Sequence, residues 1–381
     1  MKRSITPGQI SQNNLRLIYH YIYENEPVSQ QDISYDLRLS RPTVAAKLNE
    51  LECAGLIFRD GQIPSEYAGR KAAAYSIVPD YRVSVGVEIL EKEVKILTVD
   101  LRGKYTNRVV SPMQYENSEA YVDALCSFVR DYIDTNRLDP LKILGVGFAI
   151  PGLVNPDGTE VTYGKILDCT GLNIRHFADK LDYPCRFLHD PTSAADSELW
   201  FSPELPDFIY LSISQHLGAA IVQNRKILSG VHGYTATFEH IPVAPGGKRC
   251  YCGREGCLET VCSMDALLGG EEEDVFFDRL RAGDEDCVRR WKQFLHYLAL
   301  SINTLHLVLD TTFVLGGYVS SHLNDDDIRF LYDEIEQVST FPEFRDNIRI
   351  SKMPRHSITF GAALPYIRSF LAGDLLETEE E

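Results

Sequence analysis

The chain has 381 residues, 44% of them hydrophobic and 24% charged, which excludes a disordered or collagen-like polymer and, at this length, favours two or three globular units. It holds no apolar run of membrane-spanning length, and Met1–Lys2–Arg3–Ser4 leads into no apolar signal core, so neither a membrane span nor a secretory leader is expected. Nine cysteines, an odd number spread along the chain, argue for reduced thiols in a cytoplasmic setting, and a net charge of −17 counts against a uniformly basic nucleic-acid binder.

The charge is unevenly placed. Residues 1–80 hold nine Lys or Arg and nine Asp or Glu, so the whole excess lies in the remainder. A neutral amino-terminal unit therefore precedes an acidic body, with domain limits expected at 1–80 and 81–381.

Leu15, Ile18, Tyr19 and Ile22 recur at helical spacing until Pro27. Ser29–Gln30–Gln31–Asp32 resembles a capping box for a second helix with Ile33 and Leu37. Ser40 is the expected N-cap of a third, with Pro42 in its tolerant first turn, Val44, Leu48 and Leu51 on its buried side and Gly55 at its end. A strand at Leu56–Arg59, a turn at Asp60–Gly61, a loop with Gly69–Arg70–Lys71 and a strand at Ala74–Val78 follow. Three helices and a hairpin are the order of a winged helix-turn-helix, whose third helix enters the DNA major groove with its first turns. Ser40, Arg41, Thr43 and Lys47 are then the expected DNA contacts, with Arg70 and Lys71 on the wing reaching a minor groove. Glu50 and Glu52 lie farther along, away from the contact end, which predicts modest affinity and reliance on a dimer. A helical protein-docking unit is the competing expectation.

Beyond Pro79 strands alternate with helices. Strands are expected at 83–89, 94–101, near 109–110, and at 143–150, 185–188, 208–213 and 219–222, with helices over 120–133 and 288–309. This order predicts an α/β class with two related lobes. His240 and Cys250–Tyr251–Cys252–Gly253–Arg254–Glu255–Gly256–Cys257 bring one imidazole and three thiols into a pattern suited to tetrahedral structural Zn²⁺, with Cys262 as a competing ligand and a loop of reduced cysteines as the alternative.

Gly145–Val154, the His240…Cys257–Leu258–Glu259 cluster and Leu315–Gly316–Gly317 together resemble the ROK family of repressors, open reading frames and sugar kinases. The resemblance covers nearly the whole chain. It implies an actin/hexokinase-like two-lobed body, favours Cys257 over Cys262 as the fourth ligand, and brings the zinc-bound histidine close to a sugar. A helix-turn-helix ahead of that body marks the family's repressor branch.

Two departures from the family bear on catalysis. The first phosphate turn, Asp-x-Gly-Gly-Thr in the kinases, is replaced around Glu88–Ile89–Leu90–Glu91–Lys92, where Leu90 and Glu91 stand for the two glycines and obstruct a phosphate. The second, Ser212–Gly218, keeps only Gly218. ATP phosphotransfer is not expected. The resemblance makes Asp190, His189 (in place of the usual Asn), His240 and Glu259 the effector-contacting residues, whereas Thr237 stands for the usual glutamate and Glu239 for glycine. With no ATP site, Asp190 would accept hydrogen bonds from ligand hydroxyls or cap the helix near Pro191. Trp200 and Trp291 are expected to pack, Gly316–Gly317 to make a close contact, and His216, His232 and His322 to take no catalytic part.

The expectation is a non-enzymatic regulator, most simply a repressor of carbohydrate-use genes. It binds a pseudo-palindromic operator as a homodimer or homotetramer and responds to a sugar or sugar phosphate. The alternatives are control by a protein partner and an active sugar kinase.

Overall fold

A computed structural model describes residues 6–63, 72–231, 233–341, 346–353, 355–373 and 375. The first helix, Pro7–Asn25, begins two turns ahead of Leu15 because Thr6 and Gln9 form a capping box and Pro7 takes the first helical position. Its Leu15, Ile18, Tyr19 and Ile22 are buried. Ser29 and Asp32 cap the second helix, Gln30–Asp36, and Ser40 caps the third, Arg41–Cys53, as the sequence predicts. The left-handed Gly55 (φ +76°) then turns the chain into a hairpin, Ile57–Ile63 with Ala72–Ile77. A two-residue strand, Val28–Ser29, joins its other edge, too short to leave a periodic signal. Arg70 and Lys71 lie outside the described residues.

The body repeats one topology twice. In the first sheet Val83–Ile89, Glu93–Asp100 and Tyr105–Pro112 form an antiparallel meander, and Ile143–Ile150 and Cys185–His189 add in parallel on the other side of the first strand. In the second, Phe208–Ile213, Leu217–Gln223 and Lys226–Ile227 make the meander, and Thr312–Gly316 and Ile348–Ile350 add in parallel. Two related α/β lobes result, and the longest helix is Glu285–His306.

Two helices lie between the lobes, Asp190–Phe201 and Ser357–Ala372. The second lies directly on the first sheet: a Cβ at Gly86 or Gly147 would collide with the carbonyl oxygens of Thr359 or Ala362. Its buried face also completes the core of the amino-terminal unit. Leu15, Ile18 and Tyr19 share one apolar cluster with Leu97 and Val99 of the first sheet, Leu101 just beyond it, and Phe360, Leu364 and Ile367 of this helix. Polar contacts reinforce the junction. Tyr23 Oη donates to the Leu101 carbonyl at 2.8 Å, the Arg102 guanidinium lies 4.4 Å from the Tyr23 ring centre and pairs with Glu26, and Arg16 donates to the Ala372 carbonyl. The change of pattern after Asp80 is a change of architecture across a continuous core. No helix among the described residues is long and apolar enough to cross a membrane.

Candidate functional site

Three constellations stand out: the third helix, a His/Cys cluster, and the cleft between the lobes. On the helix Arg41–Cys53, Ser40 and Arg41 are exposed and Thr43 is half-buried, its hydroxyl 2.8 Å from that of Ser40. Lys47 is drawn along the helix to Glu50 at 2.6 Å, and Glu52 pairs with Arg59 at 3.0 Å. The acidic residues of the helix are thus matched locally, and Arg41 is left as the exposed cation of the first turn.

The 3₁₀ turn Phe238–His240 brings His240 up to a tight loop holding Cys250, Cys252 and Cys257. The loop closes through left-handed Gly253 (φ +91°) and Gly256 (φ +73°); a Cβ on Gly256 would also collide with the Ala244 carbonyl. The four ligand atoms all lie within 4.8 Å of one another, with Cys250 Sγ 3.7 Å from His240 Nδ1 and Cys252 Sγ 3.7 Å from Cys257 Sγ. Ligands on a tetrahedral zinc with Zn–S bonds near 2.3 Å stand about 3.7 Å apart, so the donor set fits a metal in both chemistry and spacing. Cys262 is turned into the second lobe's core, its thiol 3.7 Å from the Phe294 carbonyl.

Beside this cluster a cavity of about 60 Å³ opens between the lobes. His189, Asp190 and His240, three of the four residues expected to contact an effector, line it together with Tyr163, Lys165, His216, Glu239 and Tyr251. Glu259 does not line it. It is buried behind His216, accepting from the Leu217 N–H at 2.8 Å with its other oxygen 2.7 Å from His216 Nδ1. This contact outweighs burial and raises the His216 pKa. His216, which sequence spacing left without a role, therefore holds the altered second phosphate turn against Glu259. No side chain caps the helix Asp190–Phe201; His189 Nε2 stands 3.6 Å from Asp190 Oδ1. Burial, with the nearby charge of Glu88, pushes Asp190 up to about 7, and burial pushes His189 down to about 4 and Glu239 up to about 8.

On the other face of the cleft, around the altered first phosphate turn, a buried polar cluster forms. Lys95 Nζ lies 3.4 Å from Glu88 and 3.6 Å from Glu93, contacts the Tyr318 hydroxyl, and sits 4.7 Å from the Tyr318 ring centre. Thr359 donates to the second Glu88 oxygen at 2.6 Å. Burial alone would discharge Lys95, but Glu88 and Tyr318 outweigh it and hold the ammonium charged. Sequence reading found the loss of the two glycines but not this buried cluster, whose members come from two strands, a 3₁₀ turn and a helix. Of the remaining singled-out residues, Trp291 packs with its N–H on Asp327 at 2.7 Å, and Trp200 packs against Phe360. His322 stacks on Phe277 and bonds Glu273, and Gly316 abuts Tyr210. His232 lies outside the described residues.

A duplicated two-lobed, hexokinase-like body with a His/Cys cluster beside an acidic cleft defines the class. The chain belongs to the ROK family, whose family model matches residues 84–364. The N-acetylglucosamine repressor of Escherichia coli O6:H1 is 27% identical over 263 residues, covering 68% of this chain and 64% of the relative, just under two thirds of its length. Among solved structures, a ROK family transcriptional regulator described as a homolog of the E. coli MLC protein superposes with a TM-score of 0.76 at 21% identity, covering 97% of this chain and 100% of that one. A ROK family glucokinase from Streptomyces griseus, in complex with glucose and AMPPNP, superposes with a TM-score of 0.64 at 22% identity, covering 74% and 98%. At these identities the structural likenesses establish the fold, which regulators and kinases share.

Proposed function

We propose that the protein is a cytoplasmic, sugar-responsive transcriptional regulator, a repressor of carbohydrate-use genes, and not a kinase. The observation that carries this reading is the shared core. A helical unit with an exposed Arg41 is joined to the helix Ser357–Ala372, which also touches both lobes around the cleft. Residues 1–80 are the DNA-binding unit, with Ser40, Arg41 and Thr43 at the groove, Lys47 secondary because of its pairing to Glu50, and Arg70 and Lys71 as further DNA contacts. Residues 81–381 are the effector unit. His240, Cys250, Cys252 and Cys257 hold a structural Zn²⁺, which supplies folding energy to a loop with little core of its own and orients His240 towards the cleft. Asp190, His189 and His240 meet a sugar, with Glu259 acting behind them through His216.

Two such units must reach half-sites related by a two-fold axis, so the working state is a homodimer or homotetramer on a pseudo-palindromic operator. Ligand closure of the lobes moves Ser357–Ala372 and with it the spacing of the paired units; only an effector that prefers one spacing changes occupancy. The Lys95–Glu88–Tyr318–Thr359 cluster supports loss of phosphotransfer, since it fills the face where a nucleotide's phosphates would lie.

Selection from a randomised duplex library, with zinc-loaded protein at stated salt, tests the reading: an inverted repeat is expected to enrich. Arg41→Ala should weaken that site by about 1–3 kcal/mol if it reads a base, or lower the salt slope by roughly one if it meets a phosphate. No enrichment by folded protein would overturn the proposal in favour of a protein-docking unit. Phosphorylation of a hexose in a coupled assay with ATP would restore the kinase reading.

A further inference from the structure

Residue spacing proposes a contact end for the third helix, Arg41–Cys53, and the fold adds which of its sides meets solvent. Val44, Leu48 and Leu51 are buried in the core of the helical unit. Thr43 and Lys47 border that buried side. The Thr43 hydroxyl is 2.8 Å from that of Ser40, and the Lys47 side chain, only 13% exposed, lies along the helix on Glu50 at 2.6 Å. The opposite side is formed by Pro42, Ala45, Ala46 and Asn49, all exposed and at the i, i+3, i+4, i+7 spacing of one helix face. The acidic residues of the helix do not leave this face repulsive to a polyanion, because Glu50 is paired with Lys47 and Glu52 with Arg59.

We infer that this face, and not the Thr43–Lys47 side, reads base edges in the major groove, with Asn49 bonding an adenine and Ala45 and Ala46 lying against thymine methyl groups. The inference rests on the DNA-binding reading above and names the residues that give it sequence preference. The Asn side chain carries an acceptor oxygen and a donor NH₂ side by side, which match the N6 donor and N7 acceptor on adenine's major-groove edge. Guanine presents two acceptors there and would leave the amide oxygen facing one of them. An alanine methyl makes an apolar contact with the thymine C5 methyl, and its shortness lets the helix approach the bases closely enough for Asn49 to reach. Four residues advance about 6 Å along a helix, close to two base-pair steps, so the thymine met by Ala45 and the adenine met by Asn49 lie about two pairs apart. A protein-docking helix would instead present large apolar anchors at this spacing, and two alanines are not such anchors.

The test starts from the duplex enriched by the zinc-loaded full chain and measures binding by fluorescence anisotropy at one stated salt concentration. Each A·T pair of the half-site is exchanged in turn for G·C. One exchange should weaken the native chain by roughly 5- to 150-fold while weakening Asn49→Ala by less than about twofold. Being exposed, that substitution should leave the melting temperature unchanged. 7-Deaza-adenine at the same position, which lacks only the N7 acceptor, should weaken the native chain and not the variant. Uracil in place of a thymine about two pairs away removes one methyl and should weaken both proteins about two- to fourfold; no loss with uracil overturns the alanine contacts. If no A·T pair depends on Asn49, or if Lys47→Ala relaxes a base pair instead, the choice of face is overturned and DNA binding stands. No enriched duplex from folded protein overturns both.

Discussion

The two faces of the interlobe cleft differ in how their charges are met. On the nucleotide face, Glu88 is enclosed by Lys95 and Thr359, and Lys95 by Glu88, Glu93 and Tyr318, so the polar groups are satisfied within the chain. On the sugar face, Asp190 and Glu239 border a cavity, with His189 Nε2 at 3.6 Å and His240 Nε2 at 3.8 Å, next to a loop whose four donors are spaced to suit a metal. A face that is internally complete has little to gain from a ligand, whereas one that opens on a cavity can gain the hydrogen bonds a ligand brings. On the reading proposed above, the contrast would let a kinase-like body respond to a ligand without group transfer. It also predicts that damage to the two faces will have separable effects.

The largest effect should come from the metal loop. Cys252→Ser should lower zinc from about one per chain to a small fraction of that. Structural sites bind with apparent energies on the order of 10 kcal/mol, so the loop from His240 to Cys257 should loosen and effector binding be lost. Metal analysis with effector titration checks this, and an intact sugar response in zinc-free protein would break the contrast. Next is Lys95→Met, which leaves Glu88 buried without its counter-ion and should lower unfolding stability by about 3–5 kcal/mol in urea titration. Adding Glu88→Gln should recover most of that loss. Thr359→Val removes one hydrogen bond to the same carboxylate and should cost about 1.5–3 kcal/mol. Both nucleotide-face variants should still bind effector when folded, since neither residue lines the sugar cavity.

The parts of this arrangement legible in the sequence are those whose partners are close along the chain. The strands Val83–Ile89, Ile143–Ile150 and Phe208–Ile213 announce themselves as apolar runs, and Ser29 and Ser40 announce helix starts through residues three positions on. The His/Cys cluster is legible because its loop gathers all four ligands within a short segment. Ser357–Ala372 is not, because it is apolar almost all round, contains Pro365, and owes its place to strands far earlier in the chain. Thr359 meets Glu88 across 271 positions, and His216 meets Glu259 across 43, so neither pair has a spacing to read. Glu239 was visible as a departure from the family pattern, but its burial against the cavity required the fold.

The smallest predicted effect on stability is a pH dependence that links the two faces. Burial first, and then Glu88, raise the folded-state pKa of Asp190 from 3.8 to about 7. Between those values the folded chain holds a proton that the unfolded chain has released, so this group's contribution to stability is full below about pH 4 and is lost as pH rises through about 7. His189, lowered by burial from 6.5 to about 4, works the other way: the unfolded chain binds the extra proton between those values, so stability falls as pH drops through them. The two largely offset each other between about pH 4 and 6.5, and unfolding curves should be nearly flat there as far as this pair is concerned. Ligand binding should not be flat, because a ligand donor requires the Asp190 carboxylate. Affinity should rise with pH by at most about tenfold per unit up to about pH 7, with proton release into the buffer, and Asp190→Asn should abolish both. Glu239, His189, His216 and Glu88 face the same region, so Glu88→Gln should shift the rise towards lower pH without removing it. Calorimetry in two buffers of different ionisation enthalpy measures that proton release, and an affinity independent of pH would show that Asp190 does not meet the ligand.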